Sequence, residues 1–135
     1  MEIQLAKQED KQEIGKYDAH ISRDRLEQCI RDGFVYVLRD GARIVGVLRY
    51  SLFWQSIPFL DLIYLADACR GKGYGSRMMA HWETAMAAQY DHVMLSTQAD
   101  ETAYRFYEKL GYRKIGAFLP PDQDAEEWMY LKVLK

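Results

Sequence analysis

Leu60-Asp61-Leu62-Ile63-Tyr64-Leu65-Ala66-Asp67-Ala68-Cys69-Arg70-Gly71-Lys72-Gly73-Tyr74-Gly75-Ser76 is the stretch that decides the architecture. Ile57 to Leu65 is largely apolar at both even and odd positions, which reads as a central strand covered on both faces. Gly71, Gly73 and Gly75 then break the pattern. Glycine lets a chain turn tightly and lets a ligand approach the backbone without meeting a Cβ. A helix follows to about Gln89, with Met78, Trp82 and Met86 as its buried stripe. The first turn of a helix carries unpaired N–H groups and the positive end of the helix dipole. A strand, a glycine loop and a helix start in that order make a site for a phosphate or pyrophosphate.

The kind of glycine loop follows from its spacing. A nucleotide P-loop needs G-x-x-x-x-G-K-S/T, whereas Lys72 precedes the second glycine here. A dinucleotide fingerprint needs G-x-G-x-x-G near the first strand of a βαβ unit. Gly71-Lys72-Gly73-Tyr74-Gly75 has another spacing and lies halfway along the chain.

Working outward, Val93 to Thr97 reads as a strand, and Asp100 or Glu101 opens a helix that Gly111 closes. Tyr112 to Phe118 and Trp128 to Leu134 are strands around a Pro- and Asp-rich loop, residues 119–126. Upstream, Ile3 and Leu5 mark a short strand, and residues 7–18 a helix burying Ile14 and Tyr17. Ser22 caps a second helix that buries Leu26, Cys29 and Ile30 and ends near Gly33. Phe34 to Arg39 and Ala42 to Tyr50 form a hairpin around Asp40-Gly41. A less regular stretch with Trp54 leads back to the central strand. The order β-α-α-β-β-β-α-β-α-β-β implies a mixed α/β fold with a central, mostly antiparallel sheet flanked by helices.

At 135 residues the chain fits one domain, residues 1–135. A hydrophobic share of 49% against 28% charged is that of a soluble globular protein. A formal charge of -2 provides no basic field for nucleic acid or a membrane surface. The N-terminus turns charged at once, unlike a signal peptide, and no apolar run approaches the roughly 18 residues of a membrane span. Cys29 and Cys69 form no disulfide framework or metal spacing and read as reduced thiols, which places the protein in the cytoplasm. His20, His81 and His92 show no ligand spacing either, so no metal is expected. A hydrolase is excluded because there is no nucleophile–His pair or G-x-S-x-G elbow.

Arg70 to Gly75 matches R-x-x-G-x-G, and Asp100-Glu101-Thr102-Ala103-Tyr104-Arg105-Phe106-Tyr107-Glu108-Lys109-Leu110-Gly111-Tyr112 is similar to N-x-x-A-x-x-L/F-Y-x-x-x-G-F/Y. With a strand between them, the two segments resemble the GNAT (Gcn5-related N-acetyltransferase) superfamily from about Leu60 to Tyr112. The resemblance implies an N-acetyltransferase with acetyl-CoA as cosubstrate. Its acceptor would be an amine of a small molecule or peptide, attacking directly in a ternary complex. The amides of Gly71, Lys72, Gly73, Tyr74, Gly75 and Ser76 would hold the CoA pyrophosphate, with Arg70 and Lys72 adding charge or shaping the loop. The backbones of Ile63 and Leu65 would pair with the pantetheine arm, and an N–H near Leu65 would polarise the thioester carbonyl. Tyr107 would protonate the departing thiolate, since a phenol of pKa about 10 is near enough to a thiol at about 8.5. Asp100 takes the place of the family asparagine. Asp61, the one acid on the central strand, would take the amine proton; by strand parity it shares a face with Ile63 and Leu65.

Tyr50, Trp54 and Trp128, with Asp122, Asp124 and Glu126, are the candidate pocket for a cationic acceptor. Cys69 reads as structural, and the last strand, if exposed, offers an edge to a second copy. Two rival readings are a CoA-binding module without catalysis and an acyltransferase acting on protein N-termini or lysines, or with longer acyl groups.

Overall fold

The computed structural model describes residues 1–135. In chain order it contains β1 (Glu2–Leu5), a 3-10 turn (Gln8–Asp10), α1 (Lys11–Gly15), α2 (Arg23–Arg31), β2 (Val35–Asp40), β3 (Arg43–Phe53) and β4 (Ile57–Leu65). A second 3-10 turn (Asp67–Cys69), α3 (Tyr74–Ala87), β5 (His92–Gln98), α4 (Ala103–Lys109), β6 (Arg113–Phe118) and β7 (Glu127–Val133) follow. The strands hydrogen-bond in the order β1-β2-β3-β4-β5-β7-β6, with β4 and β5 parallel. This is the mixed α/β architecture that the element order implies.

Local chemistry explains the boundaries. Ser22 accepts a bond from the Arg25 N–H and caps α2. At the far end Gly33 has φ +78°, the Phe34 N–H bonds the Cys29 carbonyl at 2.9 Å, and the Gly33 N–H bonds that of Ile30 at 3.1 Å. Gly111, with φ +97°, closes α4 in the same way: Tyr112 bonds back to Tyr107, and Gly111 to Glu108, each at 3.1 Å. Both are Schellman ends, which require a residue that tolerates the left-handed region.

Three sequence expectations are corrected. The β2–β3 loop is Gly41-Ala42, because Asp40 pairs with Arg43. Gly41 alone has positive φ, so glycine sits first in the turn. The β3–β4 connection is also a tight hairpin. Trp54 and Gln55 both have positive φ (56° and 61°), and the Ser56 N–H closes onto the Phe53 carbonyl at 3.0 Å. Such a turn usually announces itself as Asn-Gly, which is why Trp-Gln hid it. Finally, β7 lies between β5 and β6 and is not an edge; β6 is the edge strand at that end of the sheet, and every residue in it is exposed.

The chain divides into two compact units, Met1–Ser51 with Asp61–Trp82, and Leu52–Leu60 with Glu83–Lys135. In the first, one face of the sheet buries Val35, Val37, Ile44 and Val47 against Ile14, Leu26 and Ile30 of α1 and α2. The opposite face carries Leu38 and Gly46 against Met78 of α3, and Tyr50 against Trp82. In the second, the Tyr130 hydroxyl donates to Glu108 at 2.8 Å. Glu83 accepts from both the Tyr112 hydroxyl and Lys132, each at 2.7 Å.

Gly46 is the tightest glycine position of the first unit. A Cβ there would lie 3.0 Å from Leu65 Cδ2, 3.1 Å from Leu38 Cβ and 3.1 Å from Met78 Sδ. Gly46→Ala is expected to destabilise the protein by about 1–3 kcal/mol, as overpacking does. Urea unfolding measures it, and an unchanged or higher midpoint would contradict this packing.

Candidate functional site

The glycine loop of the first unit is shaped by its own backbone. Gly71 and Gly73 have φ of +73° and +87°, and a Cβ at either would meet nothing within 4 Å. The first well-formed bond of α3 runs from the Arg77 N–H to the Gly73 carbonyl at 3.1 Å, which puts Gly73 in the N-cap position. Glycine has no side chain to cap with. The N–H groups from Gly71 through Ser76 accordingly make no well-formed bond within the protein. They stand at the positive end of a 14-residue helix, an arrangement suited to a phosphate or pyrophosphate.

Arg70 folds back over the preceding strand. Its Nε donates to the Leu65 carbonyl at 3.1 Å, Nη1 lies 3.3 Å from Asp67, and the guanidinium sits 5.9 Å from the Tyr64 ring centre. The ion pair is exposed and contributes little; Arg70 shapes the loop more than it holds charge. Lys72 is exposed, and Tyr74, Gly75 and Ser76 are half-buried.

The β4–β5 ladder joins only Phe59 to Met94 and Leu60 to Leu95. Beyond it, β4 runs on to Leu65, and its residues are not sealed as the sequence implied: Leu62, Ile63, Tyr64 and Leu65 stay half-buried. The expectation that Asp61 shares a face with Leu65 is corrected as well. Asp61 pairs with Arg49, hydrogen-bonds Ser51, and lies on the side of the sheet where Leu62 packs with the α1–α2 core and Tyr64 stacks on Tyr17. Leu65 lies on the opposite side, beside Gly46 and Met78. Alternation therefore breaks between Asp61 and Leu62, as at a bulge. Sequence parity assumes an unbroken pleat and cannot register the slip.

The Asp61 side chain is 25% exposed. Burial pushes its carboxyl above its ordinary pKa; Ser51 and Arg49 pull it down, and Asp18 pushes it up again. Arg49 Nε donates to Asp18 at 2.7 Å, and the Asp18 side chain is fully buried. Removing either partner of such a pair costs about 3–5 kcal/mol. Cys29 of α2 faces the same group of charges; burial pushes its thiol up, and Arg49 pulls against it.

In the second unit, Tyr107 is 7% exposed, with its ring against Phe106 and Tyr112. The Schellman closure of α4 fixes that ring, since Tyr107 supplies the carbonyl for the Tyr112 N–H. Its hydroxyl has no hydrogen-bond partner in the protein, yet is not among the fully sealed polar atoms. Burial pushes the phenol up to about 12. The near match to a thiol that the free value implies is thus not kept: the group is a firmly protonated donor and a weaker acid. Asp100 is exposed and does not open α4; Thr102 holds the N-cap position, and neither Asp100 nor Glu101 belongs to the helix.

The residues of the aromatic and acidic acceptor pocket have different surroundings. Tyr50 is a core residue of the first unit, packed on Phe34, Tyr36 and Trp82. Trp54, 80% exposed, tips the β3–β4 hairpin, while Trp128 packs on Tyr104 beneath Lys114. Asp122, Asp124 and Glu126 are exposed. Cys69 is buried, as a structural thiol would be. Sequence reasoning missed Arg49 and Asp18. The signal for Arg49 was present: one arginine inside the apolar run Ile44 to Tyr50 must find a buried partner.

A sequence model of the Acetyltransferase (GNAT) family matches residues 3–112. No protein of curated function matches in sequence. Among solved structures, Ard1 from Thermoplasma volcanium superposes with a TM-score of 0.85 at 17% identity, covering 98% of this chain and 96% of that one. The ribosomal-protein-S18-alanine N-acetyltransferase of Escherichia coli gives 0.82 at 13%, covering 99% and 94%. An aminoglycoside 6'-N-acetyltransferase complexed with coenzyme A gives 0.81 at 15%, covering 100% and 98%. At these identities the structures establish the fold, and the family's cosubstrate is acetyl-CoA. No helix is long and apolar enough to cross a membrane. A match across residues 3–112, on a fold that leaves the amides of one glycine loop unclaimed, means that the chain belongs to the GNAT acetyltransferase family.

Proposed function

We propose that this chain, acting as a single cytoplasmic domain, transfers an acetyl group from acetyl-CoA to a primary amine of a small molecule or peptide, by direct attack in a ternary complex. The observation that carries the reading is the run of unclaimed amides from Gly71 through Ser76 around two left-handed glycines at the start of α3. That cradle fits a pyrophosphate, because a diester diphosphate offers acceptors and charge but no donor.

Acetyl-CoA supplies an acetyl group activated as a thioester. The amides of Gly71, Lys72, Gly73, Tyr74, Gly75 and Ser76 bind its pyrophosphate, and Lys72 adds charge at the rim. The β4 backbone at Ile63 and Leu65, past the end of the two-pair ladder, binds the pantetheine arm. Since the Leu65 carbonyl already accepts from Arg70, Ile63 carries more of that pairing. A backbone N–H near Leu65 polarises the acyl oxygen. Asp61 takes the amine proton, and its raised pKa brings a carboxylate closer to that task. Tyr107 donates a proton to the sulfur; at about 12 its phenol keeps that proton throughout the working range. Asp100, ahead of α4 where the family asparagine stands, contributes to the coenzyme site. The related acceptors named above, a ribosomal protein alanine and aminoglycosides, are both amines.

Three outcomes follow. Titration with CoA is expected to move the amide resonances of Gly71 through Ser76; resonances that stay in place would overturn the site. Thiol release with acetyl-CoA and an amine panel is expected to fall about 100-fold or more in Tyr107→Phe, the usual scale of a lost general acid. Unchanged turnover would remove Tyr107 from the role, and binding without thiol release would favour a CoA-binding module. In the pH profile, activity falls on the acid side as Asp61 protonates, at a higher pH than for an ordinary aspartate. No basic limb from Tyr107 is expected below about pH 11, because deprotonation of its phenol centres on about 12.

A further inference from the structure

Asp61 shares its one cation with a second carboxylate, and the sharing is unequal. Arg49 sits on β3 at the base of the first unit's α1–α2 face. Its Nε donates to Asp18 Oδ2 at 2.7 Å, and Nη2 reaches Asp18 Oδ1 at 3.5 Å. The remaining nitrogen, Nη1, lies 3.6 Å from Asp61 Oδ2, beyond hydrogen-bond range. The order of burial matches the order of contact: the Asp18 side chain is 0% exposed, Arg49 11% and Asp61 25%. Nε and Nη2 make up one edge of the guanidinium, and with that edge held by the buried carboxylate Nη1 stays short of Asp61.

Asp18 is itself fixed. It follows α1, its N–H bonds the Ile14 carbonyl at 3.1 Å, and Oδ1 accepts from the His20 N–H at 3.2 Å. The groups facing Asp61 are Arg49 and Ser51 from β3, Asp18 from the segment after α1, and Cys29 from α2. Asp32 and Arg25 act on Cys29 in turn. Asp18 also borders a surface cleft with Lys11, Lys16 and Arg23. The trio Asp18, Arg49 and Asp61 carries one more negative than positive charge, so the group that completes it is a cation, such as a protonated alkyl amine.

We propose that Asp18 is a positioning residue for acetyl transfer: by holding Arg49 in a buried fork it keeps that cation from closing on Asp61, so that Asp61 remains free to receive the acceptor ammonium and its proton. The step balances: the ammonium N–H bond breaks as the Asp61 O–H bond forms, the freed lone pair forms the C–N bond as the C–S bond of the thioester breaks, and the second amine proton ends on the departing sulfur. This rests on the reading of Asp61 as the base. It adds a residue that touches neither substrate nor cosubstrate and acts through Arg49, beside the direct push of its own charge on Asp61.

The test uses the full chain with two readouts, the carbon-13 titration of the Asp61 carboxyl and the pH profile of kcat/KM. Asp18→Asn keeps the shape of the fork but removes its charge, and Arg49 turns to Asp61. The Asp61 midpoint is then expected to fall by about one pH unit, as for a carboxylate gaining a close guanidinium, and the acid limb of kcat/KM to fall with it. An unmoved midpoint in a folded variant overturns the proposal. A midpoint that falls while the acid limb stays in place also overturns it, and removes Asp61 as the base, so the two failures are told apart. Where Asp18→Asn does not fold, the Asp18→Asn/Arg49→Gln double variant replaces the ion pair with a neutral one. There the Asp61 midpoint is expected to rise, because the cation has gone; a fall or no change overturns the proposal.

Discussion

Backbone N–H groups that the fold leaves unclaimed are the constraint around which this protein is arranged. A buried amide needs a partner, and helices and ladders ordinarily supply it. Here α3 begins on a glycine that cannot cap, so its first turn keeps donors exposed together. Upstream, β4 outruns its two-pair ladder with β5. Both features belong to one continuous segment, from Leu60 to Ser76. Helix α3 is held in place by Met78, Met79 and Trp82, each at most 1% exposed, so the donors stand on a rigid element. Pre-organised donors need no rearrangement when an anion arrives.

The same accounting governs the charged side chains. Arg49 is 9% exposed and could not persist there without Asp18. That pair then sets the surroundings of Asp61, which has neither a full fork nor full solvent. Tyr107 shows the converse: its ring packs against Phe106 and Tyr112, and burial alone raises its phenol. In one unit a carboxylate is made more willing to hold a proton; in the other a phenol is made less willing to lose one. Both shifts come from desolvation first.

Much of this was legible in the sequence. The order of strands and helices, the Ser22 cap, the two closing glycines Gly33 and Gly111 and the Met78–Trp82 stripe all follow from local rules, because a cap or a stripe is decided within a few residues. The glycine loop was equally plain. What escaped depends on distant partners. The Trp54-Gln55 turn is held by the pairing of the strands it joins, against the preference of both residues for negative φ. The place of β7 inside the sheet is set by its ladders to β5 and β6, whose pairings, such as Leu95 with Tyr130 and Lys114 with Tyr130, only the fold defines. Arg49 and Asp18 are 31 positions apart, and neither residue names the other.

The break in alternation at Asp61 explains why a single strand can serve two chemistries. On an unbroken pleat, Asp61 and Leu65 would face one helix layer, and the acid would compete for space with the residue that closes over Gly46. The slip sends Asp61 toward α1 and α2, where Asp18, Arg49 and Cys29 wait, and leaves Leu65 on the α3 side, against Met78. Leu62 and Tyr64 keep to the α1–α2 side, with Leu62 in the core and Tyr64 on Tyr17. The slip falls at the one exposed residue of the strand. A change that restored regular pleating would therefore turn the only acid of β4 away from the cation that tunes it.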